Sequence, residues 1–153
     1  MSFTIYDALR QSHEIQRDLY KKLLDTKGDT EERDQLFSAI KIELAAHAAA
    51  EERHFLIPLL KLDSGINISR HAIAEHHELD ELIEDLQSIE YSSPAWLAKA
   101  KALAEEIEHH LHEEEHGFFQ YSGKLLDEQQ KTQYAQAYLV EYDRLKQLFA
   151  AES

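Results

Sequence analysis

The chain of 153 residues contains no cysteine and only two prolines and four glycines. Without cysteine, disulfides, iron–sulfur clusters and thiolate zinc sites are excluded. Few prolines and glycines leave few positions that break a helix, so the composition favours an all-α fold. No run approaches the roughly 18 consecutive apolar residues of a membrane span, and the N-terminus lacks the pattern of a signal peptide. We therefore expect a cytoplasmic protein that does not enter a membrane.

Basic residues are also scarce. Sixteen Lys and Arg face 30 Asp and Glu, which gives a formal net charge of −14. Because phosphate backbones bind to basic patches, this balance predicts no nucleic-acid partner, whereas it is compatible with cation binding. An apolar content of 43% suits one domain over residues 1–153 with a single buried core.

Turn and capping signals divide the chain into five predicted helices, over about 4–26, 30–62, 69–89, 93–122 and 127–150. Three pairs of residues mark helix starts: Thr4 with Asp7, Ser93 with Pro94, and Asp127 with Gln130. Pro58 is expected to kink the second helix, because proline removes a backbone hydrogen bond. Short turns between four long helices predict an up-down-up-down four-helix bundle, about 4–122, with an additional C-terminal helix.

Six residues form two matching sets, and each member of the second set lies 63 residues after its counterpart in the first. The sets are His13, His47 and Glu51, and then His76, His110 and Glu114. A His followed by His-x-x-x-Glu, repeated at one offset, indicates metal ligands. The offset also implies that the third and fourth helices repeat the first and second.

His-x-x-x-Glu alone is a weak signal, because it occurs five times, starting at positions 47, 71, 77, 109 and 110. Helical phase, at about 100° per residue, separates these pairs. It places the pairs that begin at His47 and His110 among apolar residues, and His76 faces the same interior. His77 flanks the interior, and the pair that begins at position 109 lies off the apolar stripe. Glu115 is expected to point away from the core.

Four histidines and two glutamates are therefore predicted to lie inside the bundle. Each buried carboxylate costs several kcal/mol unless positive charge compensates it. A pair of divalent cations provides this charge, with the two glutamates bridging them. Imidazole and carboxylate together favour iron, manganese or zinc. Such a centre keeps open positions, which suit reaction with a small diatomic ligand.

These six residues resemble the signature of the hemerythrin-like HHE cation-binding domains, H…HxxxE…H…HxxxE. The resemblance covers about residues 4–125 and includes the local sequences EERHF at 51–55 and EE at 114–115 before FF at 118–119. It implies a non-haem di-iron centre, with carboxylate bridges and a bridging oxygen species, inside a helical bundle. Zinc or manganese could substitute for iron in such a centre.

The chain departs from the oxygen-carrying hemerythrins, which have HxxxH on the third helix and HxxxxD on the fourth. Ala72 stands four residues before His76, and Glu115 occupies the fourth-helix aspartate position. Glu75 or His77 is the candidate for an additional metal ligand or a supporting contact. The resemblance thus implies sensing of, or reaction with, O₂, peroxide or NO, or the homeostasis and repair of iron centres under stress. The alternatives are a reversible oxygen carrier, an iron storage or delivery protein and a ferroxidase-like enzyme, so enzymatic turnover stays open.

Other histidines and aromatic residues are expected outside the centre. Surface positions are predicted for four histidines, His54, His71, His112 and His116. Tyr6 and Tyr20 flank His13, and they either line the centre or pack in the core. The C-terminal helix carries a stripe that covers one bundle face or forms a homodimer contact, made of Tyr134, Tyr138, Tyr142, Leu145, Leu148 and Phe149.

Overall fold

The computed structural model describes residues 2–153, and no strand occurs in that range. Helices α1 to α7 span Ile5–Leu24, Glu31–Glu51, Ile57–Leu60, Ile66–Gln87, Pro94–Glu113, Phe119–Gly123 and Glu128–Glu152. π-helical turns over Glu52–Leu56 and Glu114–Phe118 join α2 to α3 and α5 to α6 without a break. The predicted all-α class is confirmed.

Reciprocal caps fix where the first and last helices begin. The Thr4 side chain accepts a hydrogen bond from the Asp7 backbone N–H, and the Asp7 carboxylate accepts one from the Thr4 N–H at 2.9 Å. Asp127 and Gln130 make the same exchange before α7. Such pairs satisfy backbone N–H groups that a helix leaves free. Both helices accordingly begin within one residue of the predicted positions.

The four long helices α1, α2, α4 and α5 form the predicted bundle. α1 packs along α2 and α5, and α4 packs along α5. α7 lies against α1 and α2, and it buries Tyr138, Tyr142 and Leu145 in the core. This part of the predicted stripe therefore covers one face of the bundle, whereas Leu148 of the stripe is 41% exposed. In residues 2–153, no helix combines the length and the apolar character that a membrane crossing requires.

Two apolar clusters fill the two ends of the bundle and leave a polar layer between them. On α1, Leu9 belongs to one cluster and Leu23 to the other, and His13 lies between them. On α4, His76 likewise lies between Ala72 of the first cluster and Leu79 of the second. The apolar clusters thus enclose the predicted ligands on both sides.

Both π-helical turns lie at the glutamates of the repeated signature. The first turn begins directly after Glu51, and the second begins at Glu114. In the first turn, the N–H of Ile57 bonds to the carbonyl of Glu52, five residues back. This turn ends at Leu56, two residues before Pro58, where a kink was predicted. Proline is not its only cause, because Tyr121 occupies the position equivalent to Pro58 in the second half and a π-helical turn forms there too. Such turns are frequent at functional sites.

A close backbone contact fixes the turn between α3 and α4. A Cβ atom at Gly65 would lie 2.3 Å from the carbonyl oxygen of Leu59. The Gly65 N–H also bonds to the Leu62 carbonyl at 2.8 Å. The turn therefore requires glycine, and α4 begins directly after it at Ile66, earlier than the predicted residue 69.

Candidate metal centre

The six residues of the repeated signature meet in the middle of the bundle. α1 supplies His13, α2 supplies His47 and Glu51, and α4 supplies His76. α5 supplies His110, and the second π-helical turn supplies Glu114. None of the six is more than 4% exposed. The inward orientation predicted from helical phase agrees with this burial.

Each glutamate faces one histidine from each half of the chain. A Glu51 carboxylate oxygen lies 3.4 Å from His47 Nε2 and 3.0 Å from His76 Nε2. The Glu114 carboxylate lies 3.1 Å from His13 Nε2 and 3.7 Å from His110 Nε2. The two carboxylates therefore stand between the two histidine pairs.

Eight donor atoms of this group are buried without a hydrogen-bond partner in residues 2–153. They are the four histidine Nε2 atoms and all four carboxylate oxygens of Glu51 and Glu114. Their ligand atoms form two overlapping sets, and within each set the atoms lie within 4.8 Å of one another. The sets are His13–His47–Glu114 and Glu51–His76–His110–Glu114. Because buried polar atoms are normally satisfied, this convergence fits bound cations. The buried His/Glu cluster is able to bind metal.

Two histidines are held by glutamates that follow the same 63-residue repeat. His13 Nδ1 lies 2.8 Å from Glu115, and His76 Nδ1 lies 2.8 Å from Glu52. A carboxylate only accepts, so each ring donates from Nδ1 and presents its Nε2 lone pair to the centre. Arg17 donates to Glu115 at 2.8 Å. Burial raises the pKa of Glu115, but His13 and Arg17 outweigh it and lower that pKa to about 2.

The other two histidines have unlike partners. His110 Nδ1 lies 2.8 Å from Glu75, whereas His47 Nδ1 lies 2.8 Å from the Tyr138 hydroxyl. The residue equivalent to Glu75 in the first half is Ser12, whose side chain is shorter. The Tyr138 hydroxyl pairs with the Ser12 hydroxyl at 2.6 Å. Tyr138 of α7 thus supplies the contact to His47 that a glutamate makes in the second half.

Glu75 and His77, the two additional candidates from the sequence, occupy different surroundings. Glu75 is buried and contacts the ring of His110. The His77 side chain is 73% exposed and pairs with Glu81 at 2.8 Å. The structure therefore brings Glu75 to the edge of the centre and leaves His77 at the surface.

Sequence reasoning missed the glutamates that orient His13 and His76. A signal was present, because each follows a predicted ligand and the Glu-Glu pair recurs at the 63-residue offset. In a regular α-helix, with a constant angle per residue, Glu115 would face away from the core. Glu115 lies in a π-helical turn, where the angle per residue differs, and it reaches His13 instead. Tyr138 has no equivalent in the repeat, so its contact left no sequence signal.

The remaining candidates lie outside the donor group. The Tyr6 hydroxyl pairs with Ser122 at 2.9 Å, and the Tyr20 hydroxyl donates to Glu108 at 2.7 Å. His54 is half-buried, and three other histidines are exposed, His71, His112 and His116.

Without cations, protons would balance the buried charge. Burial raises the pKa of Glu114 well above its ordinary value, and the Glu51 carboxylate raises it further. Burial also disfavours a charged Glu51, but His47 and His76 outweigh it and hold that pKa well below the usual range. Burial lowers the pKa of His76, yet Glu51 and Glu52 raise it to about 10. Cation binding has to displace such protons.

A small cavity of about 10 Å³ adjoins the donor group, and its lining includes Gln16, His47, His76, Leu79 and His110. About 10–15 Å³ accommodates one water-sized molecule. Gln16 is 1% exposed, and its amide nitrogen has no hydrogen-bond partner in the described part of the chain. Leu79 is the residue equivalent to Gln16 in the second half. At this position the first half of the repeat thus contributes a polar residue and the second half an apolar one.

Comparisons with known proteins agree with this geometry. The family model of the hemerythrin HHE cation binding domain matches residues 4–122. A crystal structure of a hemerythrin HHE cation binding domain-containing protein from Mycobacterium kansasii has a similar fold. Its TM-score is 0.85 at 19% identity, over 94% of this chain and 88% of that one.

A curated relative is also similar, a DNA nickase from Nostoc sp. (strain PCC 7120 / SAG 25.82 / UTEX 2576). It is 25% identical over 149 residues, which are 97% of this chain. The chain spans 42% of the length of that relative. The family match over most of the chain, together with the buried His/Glu cluster, shows that this protein belongs to the hemerythrin HHE cation-binding domain family.

Proposed function

We propose that this protein binds two non-haem iron ions at the buried His/Glu cluster and uses them to sense or react with O₂, peroxide or NO. The observation that carries the proposal is the set of buried donor atoms without hydrogen-bond partners. An unsatisfied buried polar atom costs about 1–3 kcal/mol, so bound cations would remove a large penalty. Imidazole and carboxylate ligands suit iron, with manganese or zinc as substitutes.

We assign His13 and His47 to one ion, and His76 and His110 to the other. Glu51 and Glu114 are the proposed bridges, because each faces one histidine of either pair. Four donors for each ion would leave positions open for a small ligand. When bound, an iron pair supplies one-electron redox steps and sites for a small ligand.

The cavity beside the cluster supports a small ligand. Its volume of about 10 Å³ suits a diatomic molecule or peroxide better than an organic substrate. Gln16 Nε2 is the buried donor placed to form a hydrogen bond to a ligand there. Leu79 on the other wall offers only apolar contact.

Anaerobic loading with Fe²⁺ tests the metal assignment. We expect two irons per chain in the unchanged protein, and fewer in His47→Ala and Glu114→Ala. His54→Ala, a change outside the cluster, is the control and should retain both irons. An iron content well below two that neither ligand variant alters would contradict the proposal.

Optical spectra of the ferrous protein before and after exposure to O₂ distinguish the possible uses. Ferric bands that persist favour sensing, redox reaction or repair, whereas bands that bleach on deoxygenation indicate a reversible carrier. Repeated O₂ uptake with excess Fe²⁺ would indicate a ferroxidase-like enzyme. Iron transfer to a metal-free acceptor without O₂ consumption would indicate storage or delivery.

The longer Nostoc relative is a DNA nickase, but the charge of this chain does not favour DNA binding. The net charge of −14 opposes phosphate binding, and basic residues are outnumbered by acidic ones. We propose instead that nucleic acid is not a partner, and a mobility-shift titration with nicked and intact duplexes tests this.

A further inference from the structure

Two of the five His-x-x-x-Glu pairs lie side by side outside the buried cluster, one on α4 and one on α5. His71 Nε2 is 3.4 Å from Glu75 Oε2 and 3.1 Å from Glu113 Oε2. His109 Nε2 is 3.5 Å and 3.4 Å from the same two oxygens. Four metal-ligating groups therefore meet at the surface; we call them the outer cluster.

We propose that the outer cluster is a third divalent-cation site, which loads the buried pair. Ligand atoms about 2.0–2.1 Å from a tetrahedral ion are about 3.3 Å apart, close to the distances observed here. Ligand atoms of His71, Glu75 and Glu113 already lie within 4.8 Å of one another. His109, with a side chain 59% exposed, has room to turn toward the ion as the fourth ligand.

The internal repeat gives an independent reason to regard this surface as a binding site. The equivalents of the outer cluster, 63 residues earlier, are Ala8, Ser12, Ala46 and Ala50. All four are buried in the first half, where α7 packs on α1 and α2. In the second half the same face is open, and every small residue is replaced by a metal-ligating one. The donors are thus confined to the face that α7 leaves uncovered.

One groove is lined by residues of both clusters. Its volume is about 620 Å³, and its lining includes His71, Ala72, Glu75, Glu113 and Glu114. Glu75 links the two clusters directly, because its Oε1 contacts His110 Nδ1 at 2.8 Å while its Oε2 faces the outer histidines. The loading step rests on the proposed metal pair, whereas cation binding at the outer cluster does not.

Anaerobic titration of the metal-free protein with Co²⁺ tests the third site. The variant is His71→Ala/Glu113→Gln, which leaves the buried ligands and Glu75 in place. The matched control is His77→Ala/Glu81→Gln, because it removes the same two groups from an exposed pair on α4. We expect three ions per chain in the unchanged protein and the control, and two in the variant. Negative clefts raise cation on-rates by about 10–10³-fold, so filling of the buried pair should slow by about tenfold or more in the variant.

Equal numbers of bound ions in the variant and the control would overturn the outer site. Loss of the third ion with an unchanged filling rate would overturn its loading function. His47→Ala separates this proposal from the proposed function. If that variant loses buried ions and keeps one that depends on His71 and Glu113, both proposals are supported. If it loses none while His71→Ala/Glu113→Gln loses one, the buried assignment fails and the outer site stands.

Discussion

Tyr138→Phe tests whether α7 supports the metal centre as well as covering it. The phenol ring is fully buried, so phenylalanine keeps the packing and removes only the hydroxyl. That hydroxyl lies 2.8 Å from His47 Nδ1 and 2.6 Å from the Ser12 hydroxyl. In its absence both partners remain buried without their present contact, and the His47 ring loses the hydrogen bond that orients it.

The structure predicts the size and the location of the effect. Removing a group that orients a metal-ligating histidine typically costs about 10–100-fold in metal affinity. The loss should fall on the ion that we assign to His13 and His47, because His76 and His110 are oriented by glutamates from elsewhere. The metal-free protein should also lose about 1–3 kcal/mol of stability through the unsatisfied partners. For a chain of this size, that lowers the melting temperature by roughly 2–12 °C.

Chelator competition with Co²⁺ measures the two affinities, and thermal denaturation measures the metal-free stability. Tyr134→Phe is the matched control, because Tyr134 lies on the same helix and its hydroxyl makes no hydrogen bond within the described residues. We expect one weakened ion in Tyr138→Phe and none in the control. Two unchanged affinities, or an equal loss at both ions, would refute the assignment of Tyr138 to His47.

Three further predictions follow from the surroundings of the centre. Gln16→Leu should weaken azide binding to the iron-loaded protein by about tenfold or more, since a hydrogen bond to a charged partner contributes about 1.5–3 kcal/mol. Calorimetry measures the azide affinity, and an unchanged affinity at unchanged iron content would disprove this prediction. Metal affinity should rise with pH, because His76, whose pKa is raised to about 10, and Glu114, whose pKa is also raised, must release protons when cations bind. The expected slope is about tenfold per pH unit for each proton released, and a flat profile in chelator competition would count against it. Gly65→Ala should lower the free energy of unfolding by about 1–3 kcal/mol in urea denaturation, because its Cβ would meet the Leu59 carbonyl; an unchanged midpoint would mean that the turn yields freely.

The buried His/Glu cluster and the bundle were predictable because two periodicities agree. The 63-residue offset selected His76 rather than His77, and helical phase selected it independently. Capping residues such as Thr4 and Asp127 then located the helix starts, since their side chains satisfy backbone groups within a few residues. Local and periodic signals of this kind lie in the sequence itself.

Contacts between distant elements were not predictable in this way. Tyr138 approaches His47 only because α7 packs on α1 and α2, and no sequence periodicity relates α7 to the bundle. The π-helical turns changed the direction of Glu115, because phase counting assumes a constant angle per residue. The outer cluster was not predictable for a related reason. Helical phase placed His109 and Glu113 off the apolar stripe, but it could not show that they meet His71 and Glu75 across α4 and α5.

The repeat therefore places the same predicted ligands in two halves of the bundle that have different surroundings. In the first half α7 covers the bundle, small residues lie beneath it, and a neutral phenol orients His47. In the second half that face is open, and an ionised carboxylate orients His110. A carboxylate makes imidazole a stronger donor than a phenol does, so the two ions of the proposed pair would be inequivalent. The ion assigned to His76 and His110 would lie nearer the groove and be held by more anionic partners. The proposed ligand set is therefore symmetric in sequence but has unlike surroundings, and the proposed loading of cations from the open side is consistent with that difference.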